Sequence, residues 1–222
     1  MAKILIKFPS RERPQKFRDC IANILDTVQK PENILIVATL DSDDSTMEWA
    51  KTFDKPFFKA IYGNSTNKIH AVNRDMSKIS YDWNYCLVMS DDMKFISKGW
   101  DRIIDHYFNM FSDGKERELI LHFPTDNQHG DRIITMPIFN KQWYNRFGYI
   151  YHPSYISLFC DDEQTIVSKI TGSYRKVNEQ IAKHLHPIYT GEKQDKLMLK
   201  TQSYNDIDQS NFELRKSINF GL

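Results

Sequence analysis

Short apolar runs alternate with amphipathic stretches along the first half of the chain. Residues 3–8 (KILIKF), 33–40 (NILIVATL), 57–62 (FFKAIY) and 84–89 (NYCLVM) are nearly continuous in apolar, largely β-branched or aromatic residues. That is the pattern of strands buried on both faces. After the first run, SRERP leads into a helical pattern from Pro14 to about Gln29, with Pro14 suited to a first turn. DSDDST opens a second helix after the second run, and GNSTN a third that reaches about Met76. Such strand–helix alternation predicts a mostly parallel α/β sheet flanked by helices. Past residue 95 the pattern is less regular. Strands are predicted at 118–123 (ELILHF) and 133–139 (IITMPIF), helices at 140–147 and 162–171, and a charged helical tail over about 194–218. No linker composition interrupts the chain, so residues 1–222 read as one domain.

Composition narrows the classes of partner. Formal net charge is +1, without the basic surplus that nucleic acid or an anionic membrane surface demands. The three cysteines, Cys20, Cys86 and Cys160, form no CxxC pair and are odd in number, which fits a reducing, cytoplasmic compartment. No apolar run has membrane-spanning length, and the start, MAKILIKFPSRERP, is too short in apolar residues for a secretory signal.

The candidate chemistry lies just after the strands. In open α/β sheets, ligands bind outside the carboxyl ends of the strands. All four early strands end there in polar segments: SRER, DSDD, GNSTNK and SDDM. Helix capping accounts for any one of these, but less readily for all four. In SDDM the adjacent Asp91 and Asp92 repel each other unless a cation or strong donors compensate, and Mg²⁺ or Mn²⁺ prefers such oxygen ligands. Asp41 and Asp43 of DSDD can accept hydrogen bonds from a base or a ribose. Arg11 and Arg13, beside a helix start, suit phosphate. CDDEQT carries Asp161 and Asp162 at a helix start, as dipole-stabilised carboxylates or as a general base. In KHLHP, His184 and His186 would face one side of a strand, where one imidazole can complete a metal site.

In this order and spacing, FPSRERP, LDSDDST, NKIHAVNRD, VMSDDM, CDDEQT and KHLHP resemble the GT-A glycosyltransferases, especially the large inverting family 2. The likeness runs from about residue 3 to 190. It implies a Rossmann-like GT-A fold, with a nucleotide-binding half over about 1–95 and an acceptor-side half beyond it. It also implies transfer of a sugar from a nucleotide-diphosphate donor, UDP favoured, to an acceptor hydroxyl with inversion. By resemblance, Pro9, Ser10, Arg11, Asp41 and Asp43 line the base and ribose. Lys68, Asn73 and Arg74 are candidates in a segment that approaches the donor diphosphate, Arg13 or Lys68 lies nearer the phosphates, and Asp91 also belongs to the nucleotide site. Mn²⁺ or Mg²⁺ sits on Asp91 or Asp92 with His184 or His186. Asp162, with Asp161 as the alternative, takes the acceptor's proton, and Tyr149 and Tyr151 offer aromatic faces to the acceptor. One departure is Met89, which stands where the family's metal motif often has its first acid.

Two other readings remain at this stage. DSDDS approaches the DxDxT motif of haloacid-dehalogenase-like phosphatases, with Asp41 as nucleophile. Met89 also suits a nucleotide-sugar binding module without catalysis.

Overall fold

The structure, a computed structural model, describes residues 2–125, 132–185, 191 and 195–222. The four early strands form as β1 (Ile4–Ser10), β2 (Ile34–Asp41), β3 (Phe58–Gly63) and β4 (Tyr85–Val88), all mutually parallel. The intervening helices are α1 (Pro14–Thr27), α2 (Thr46–Thr52) and α3 (Lys68–Asn73). Later come β5 (Met93–Phe95), α4 (Trp100–Ser112), β6 (Ile120–His122), β7 (Ile138–Asn140) and α5 (Lys141–Phe147). The chain then continues through α6 (Cys160–Ile170), β8 (Tyr174–Lys176), β9 (Ala182–His184), α7 (Lys196–Gln202) and α8 (Asn205–Ser217).

Seven strands make the main sheet in the order β3-β2-β1-β4-β7-β6-β8. Within it, β7 runs antiparallel to both its neighbours, and β8 returns parallel to β6. Side chains alternate across β1. Ile4, Ile6 and Phe8 pack with Phe17, Ile21 and Ile24 of α1 and Trp100, Ile104 and Phe108 of α4, while Leu5 faces Ile69 and Val72 of α3 and Trp143 of α5. Helices thus cover both faces, which is why the strand sequences carry no polar alternation. Lys7 is the exception: it falls on the α3 side of β1 and is fully buried.

Several elements depart from the pattern read in the sequence. Of 133–139 only the end becomes strand, beginning at Ile138. The tail breaks at Ser203–Tyr204 into two helices, and α6 begins two residues early, at Cys160. α4 had no counterpart in the sequence reading, although Trp100, Ile103, Ile104, Tyr107, Phe108 and Phe111 recur at helical spacing. A separate two-stranded ribbon, β5 with β9, pairs Met93 with His184. Its strands are three residues each, below what periodicity can reveal.

Candidate functional site

Because β1 has β2 on one side and β4 on the other, the order of connection reverses at β1. The crevice therefore opens outside the carboxyl ends of β1 and β4. Those ends are Ser10–Arg13 and Ser90–Asp92, and they are tied together. Asp91 accepts hydrogen bonds from Ser10 Oγ (2.9 Å) and from Arg13 Nη1 (2.8 Å). Burial pushes the Asp91 carboxyl above its ordinary range, opposed by the Arg13 guanidinium. Arg13 also donates to Asp195, the N-cap of α7 (Nε–Oδ2 2.8 Å). The predicted phosphate arginine and the first acid of SDDM are therefore one ion pair.

Asp92 faces a different partner. Its Oδ2 lies 3.3 Å from His184 Nε2 and its Oδ1 accepts from Ser90 Oγ. Burial would raise this carboxyl, but the hydrogen bond and charge of His184, with Ser90 and the nearby Lys68, outweigh it and hold Asp92 well below the carboxylate range. The contact exists because the β5–β9 ladder sets His184 opposite Met93, and Leu185 N–H donates to Asp92 O (2.7 Å). His186 lies outside the described residues. Met89 is buried in the apolar core and offers no ligand. A carboxylate and an imidazole side by side suit Mn²⁺ or Mg²⁺, with phosphate and water oxygens completing the shell. Among the described residues no three acidic, histidine or cysteine groups converge as a ready cage. Asp91 is already paired with the Arg13 cation, whereas the partners of Asp92 are a hydroxyl and the imidazole of His184, so Asp92 and His184 are the better-fitting pair.

At the end of β2, Asp41 is a hub. Oδ1 accepts from Ser65 N–H (2.8 Å) and lies 3.6 Å from Arg74 Nη1, and Oδ2 accepts from Arg11 Nη1 (2.6 Å). The other edge of Arg11 grips Asp43 through two bonds of 3.0 Å. This double grip raises the guanidinium's affinity for its proton, and the Arg11 hydrogen bond lowers the Asp43 carboxyl. Arg74 spans the ends of β2 and β3, donating to Leu40 O and Ile61 O. A Cβ on Gly63 would come 2.9 Å from Arg74 Nη1, so a side chain there would push the guanidinium aside. Asp44, buried, accepts from Glu12 N–H and Thr46 N–H, fixing Glu12 in a left-handed conformation (φ 57°). With both oxygens engaged by donors, Asp41 is not set up as the nucleophile of a phosphatase.

Past β7, Asp161 and Asp162 occupy the first turn of α6, and Asp161 Oδ1 accepts from Asp162 N–H (3.1 Å). Lys68 at the start of α3 exerts its charge on both Asp92 and Cys160, linking this helix start to the SDDM turn. Asn73 is engaged with the neighbouring loop: its amide donates to Tyr151 O (2.7 Å) and accepts from Ile150 and Tyr151 N–H. Tyr151 is buried, while Tyr149 is half-buried beside the rings of Phe147 and His152. Pro9 is the penultimate residue of β1, opposite Thr39. Two contributors escaped the sequence reading, Asp195 and the Ser65 amide. Nothing local marks either one, because each acts through a contact distant in sequence. No helix among the described residues is long and apolar enough to cross a membrane.

No family model and no curated protein sequence matches this chain. Solved structures do resemble it. The mannosyltransferase PcManGT from Pyrobaculum calidifontis, in complex with GDP-Man and Mn²⁺, superposes with a TM-score of 0.62 at 10% identity, over 81% of this chain and 55% of that one. S. aureus TarS 1–349 in complex with UDP gives 0.64 at 10% identity, over 82% and 60%. A Drosophila β-1,4-galactosyltransferase 7 variant with manganese, UDP-Gal and xylobiose gives 0.52 at 11% identity, over 90% and 79%. The chain thus spans little more than half the length of the first two. Superposed on these structures over four fifths of its length or more, the chain adopts the GT-A fold of glycosyltransferases.

Proposed function

We propose that this protein transfers a sugar from a nucleotide-diphosphate donor to an acceptor hydroxyl. The observation that carries the reading is the cluster at the crevice, where Ser10, Arg13, Asp91, Asp92 and His184 meet outside β1 and β4 of a GT-A sheet. The arginines Arg11 and Arg74 with Asp41 and Asp43 surround the ends of β2 and β3, where a base and ribose fit. UDP is the favoured nucleotide, in keeping with the UDP and UDP-sugar complexes of two structural neighbours.

Asp92 and His184 would hold Mn²⁺ or Mg²⁺. Such an ion, when bound, offsets the charge that develops on the leaving nucleotide diphosphate. Arg13 and Lys68 supply fixed positive charge to the phosphates. Asp162, with Asp161 beside it, accepts the acceptor's hydroxyl proton at a carboxylate oxygen as that hydroxyl attacks the anomeric carbon. This is the direct route to inversion. Tyr149, with Tyr151 behind it, forms the acceptor wall.

The test is a panel of UDP- and GDP-sugars with Mn²⁺, scored by nucleotide-diphosphate release with and without sugar acceptors. Asp162→Asn should bind UDP normally while losing transfer by about 10²-fold or more. Near-normal transfer in both Asp161→Asn and Asp162→Asn would remove the base from α6. Nucleotide binding without turnover of any donor would instead favour a binding module.

A further inference from the structure

The helix farthest along the chain makes an unexpected set of contacts with the segment that leads into the acidic pair. Asp208 of α8 is completely buried, and its carboxylate accepts from three successive backbone amides: Ile156 (2.9 Å), Ser157 (2.8 Å) and Leu158 (2.8 Å). Successive N–H groups turned to one point form an anion-binding nest, here filled by a side chain from some fifty residues away. Four residues further along α8, the Phe212 ring packs on Phe159 (centroids 5.8 Å apart). Three residues beyond that, Arg215 grips Glu163 through two bonds of 2.6 and 2.7 Å, and Tyr155 Oη donates to the same carboxylate. The spacing 208, 212, 215 is one face of a helix.

These three contacts bracket a strained residue. Phe159, the N-cap of α6, sits at φ 61°, a region aromatic residues rarely adopt and that persists only where the surroundings over-determine it. Asp208 fixes the three amides before it, Phe212 covers its ring, and Arg215 anchors the helix after it. Asp161 and Asp162 lie between Phe159 and Glu163, so their direction is set by the same brackets. The nest also reaches the donor side, because Ile156 O accepts from Ile69 N–H, next to Lys68.

We infer that α8 is a positioning element for the acidic pair, and that Asp208, with Arg215, aims the carboxylates of α6 at the acceptor without touching any substrate. This rests on the glycosyltransferase reading above. It adds that a buried carboxylate on the last helix governs the rate of transfer and not the affinity for donor.

The experiment compares the wild type with Asp208→Asn, Asp162→Asn and the double variant, measuring transfer kcat, donor KM and UDP affinity. Asp208→Asn keeps the size of the side chain but turns an amide N–H₂ toward nest N–H groups. It should lower kcat by about 10-fold or more, since small misplacements of a reacting group are expensive, with donor KM and UDP affinity within about twofold. The double variant should be no slower than Asp162→Asn alone, because Asp208 acts through that pair. In Asp208→Ala the emptied nest should take formate, and sodium formate, but not sodium chloride, should restore part of the rate. Should Asp208→Asn fail to fold, Arg215→Lys reads the same effect, with kcat reduced and UDP affinity kept. Unchanged kcat in a folded Asp208→Asn alongside a slow Asp162→Asn would overturn the brace alone. So would additive losses in the double variant, or a parallel fall in UDP affinity. Full rates in both Asp161→Asn and Asp162→Asn would overturn the base assignment, and this role with it.

Discussion

Lys7 sits inside β1 with no exposed surface, and its ammonium donates to Thr39 Oγ1. Burial lowers its pKa from 10.5 to about 8, with Asp75 pulling the other way. Asp75 is itself already paired with Arg74 (3.0 Å) and Lys78 (2.8 Å). A fall of that size disfavours the ammonium at neutral pH by about 3 kcal/mol relative to the unfolded chain. Because the folded pKa lies below the unfolded one, this penalty is complete below pH 8 and is relieved as pH rises from 8 to 10.5. Lys7→Met keeps the length of the side chain, removes the charge and leaves Asp75 paired, at the cost of the Thr39 bond. The variant should therefore be more stable at pH 7 by about 2 kcal/mol, which for a chain of this size raises Tm by about 4–8 °C. Urea unfolding of both proteins at pH 7, 9 and 10.5 is the assay, and the advantage should shrink across that series. A variant less stable than the wild type at pH 7 would mean that Lys7 is held chiefly by its attraction to Asp75. A gap that ignored pH would mean that no penalty is being relieved. Either result refutes the reasoning.

Asp101, buried in the first turn of α4, accepts from the Gln29 and Lys30 amides that follow α1, so Asp101→Ala should destabilise by about 2 kcal/mol in urea unfolding without changing UDP affinity. EDTA should abolish donor turnover and Mn²⁺ or Mg²⁺ should restore it, whereas full activity in the chelator would exclude the Asp92–His184 ion. Asp41→Asn, which weakens the hold on Arg11, Arg74 and the Ser65 amide, should weaken UDP binding by about 10-fold in calorimetry, and unchanged affinity would remove Asp41 from the nucleotide site.

Four parallel strands, the helices between them and the polar segments at their carboxyl ends were legible in the sequence, because each depends on local periodicity and turn chemistry. The run IVATL, between turn-forming segments and rich in β-branched residues, reads as a doubly buried strand, and SDDM falls just after another such run, NYCLVM. The partners of those segments were not legible. That Asp91 belongs to Arg13 and Asp92 to His184 depends on the β1–β4 pairing and on a three-residue ribbon, each joining residues some eighty to ninety positions apart. Nor were the loop contacts of Asn73 legible, since an amide's donors and acceptors go to whatever backbone the fold brings near. The same holds for Asp208, which in sequence is one more acid on a charged helix. Local sequence fixes which face of an element is apolar and which ends are polar. Only the tertiary structure decides which buried carboxylate meets which donor, because the free energy of a buried charge is set by its neighbours in space.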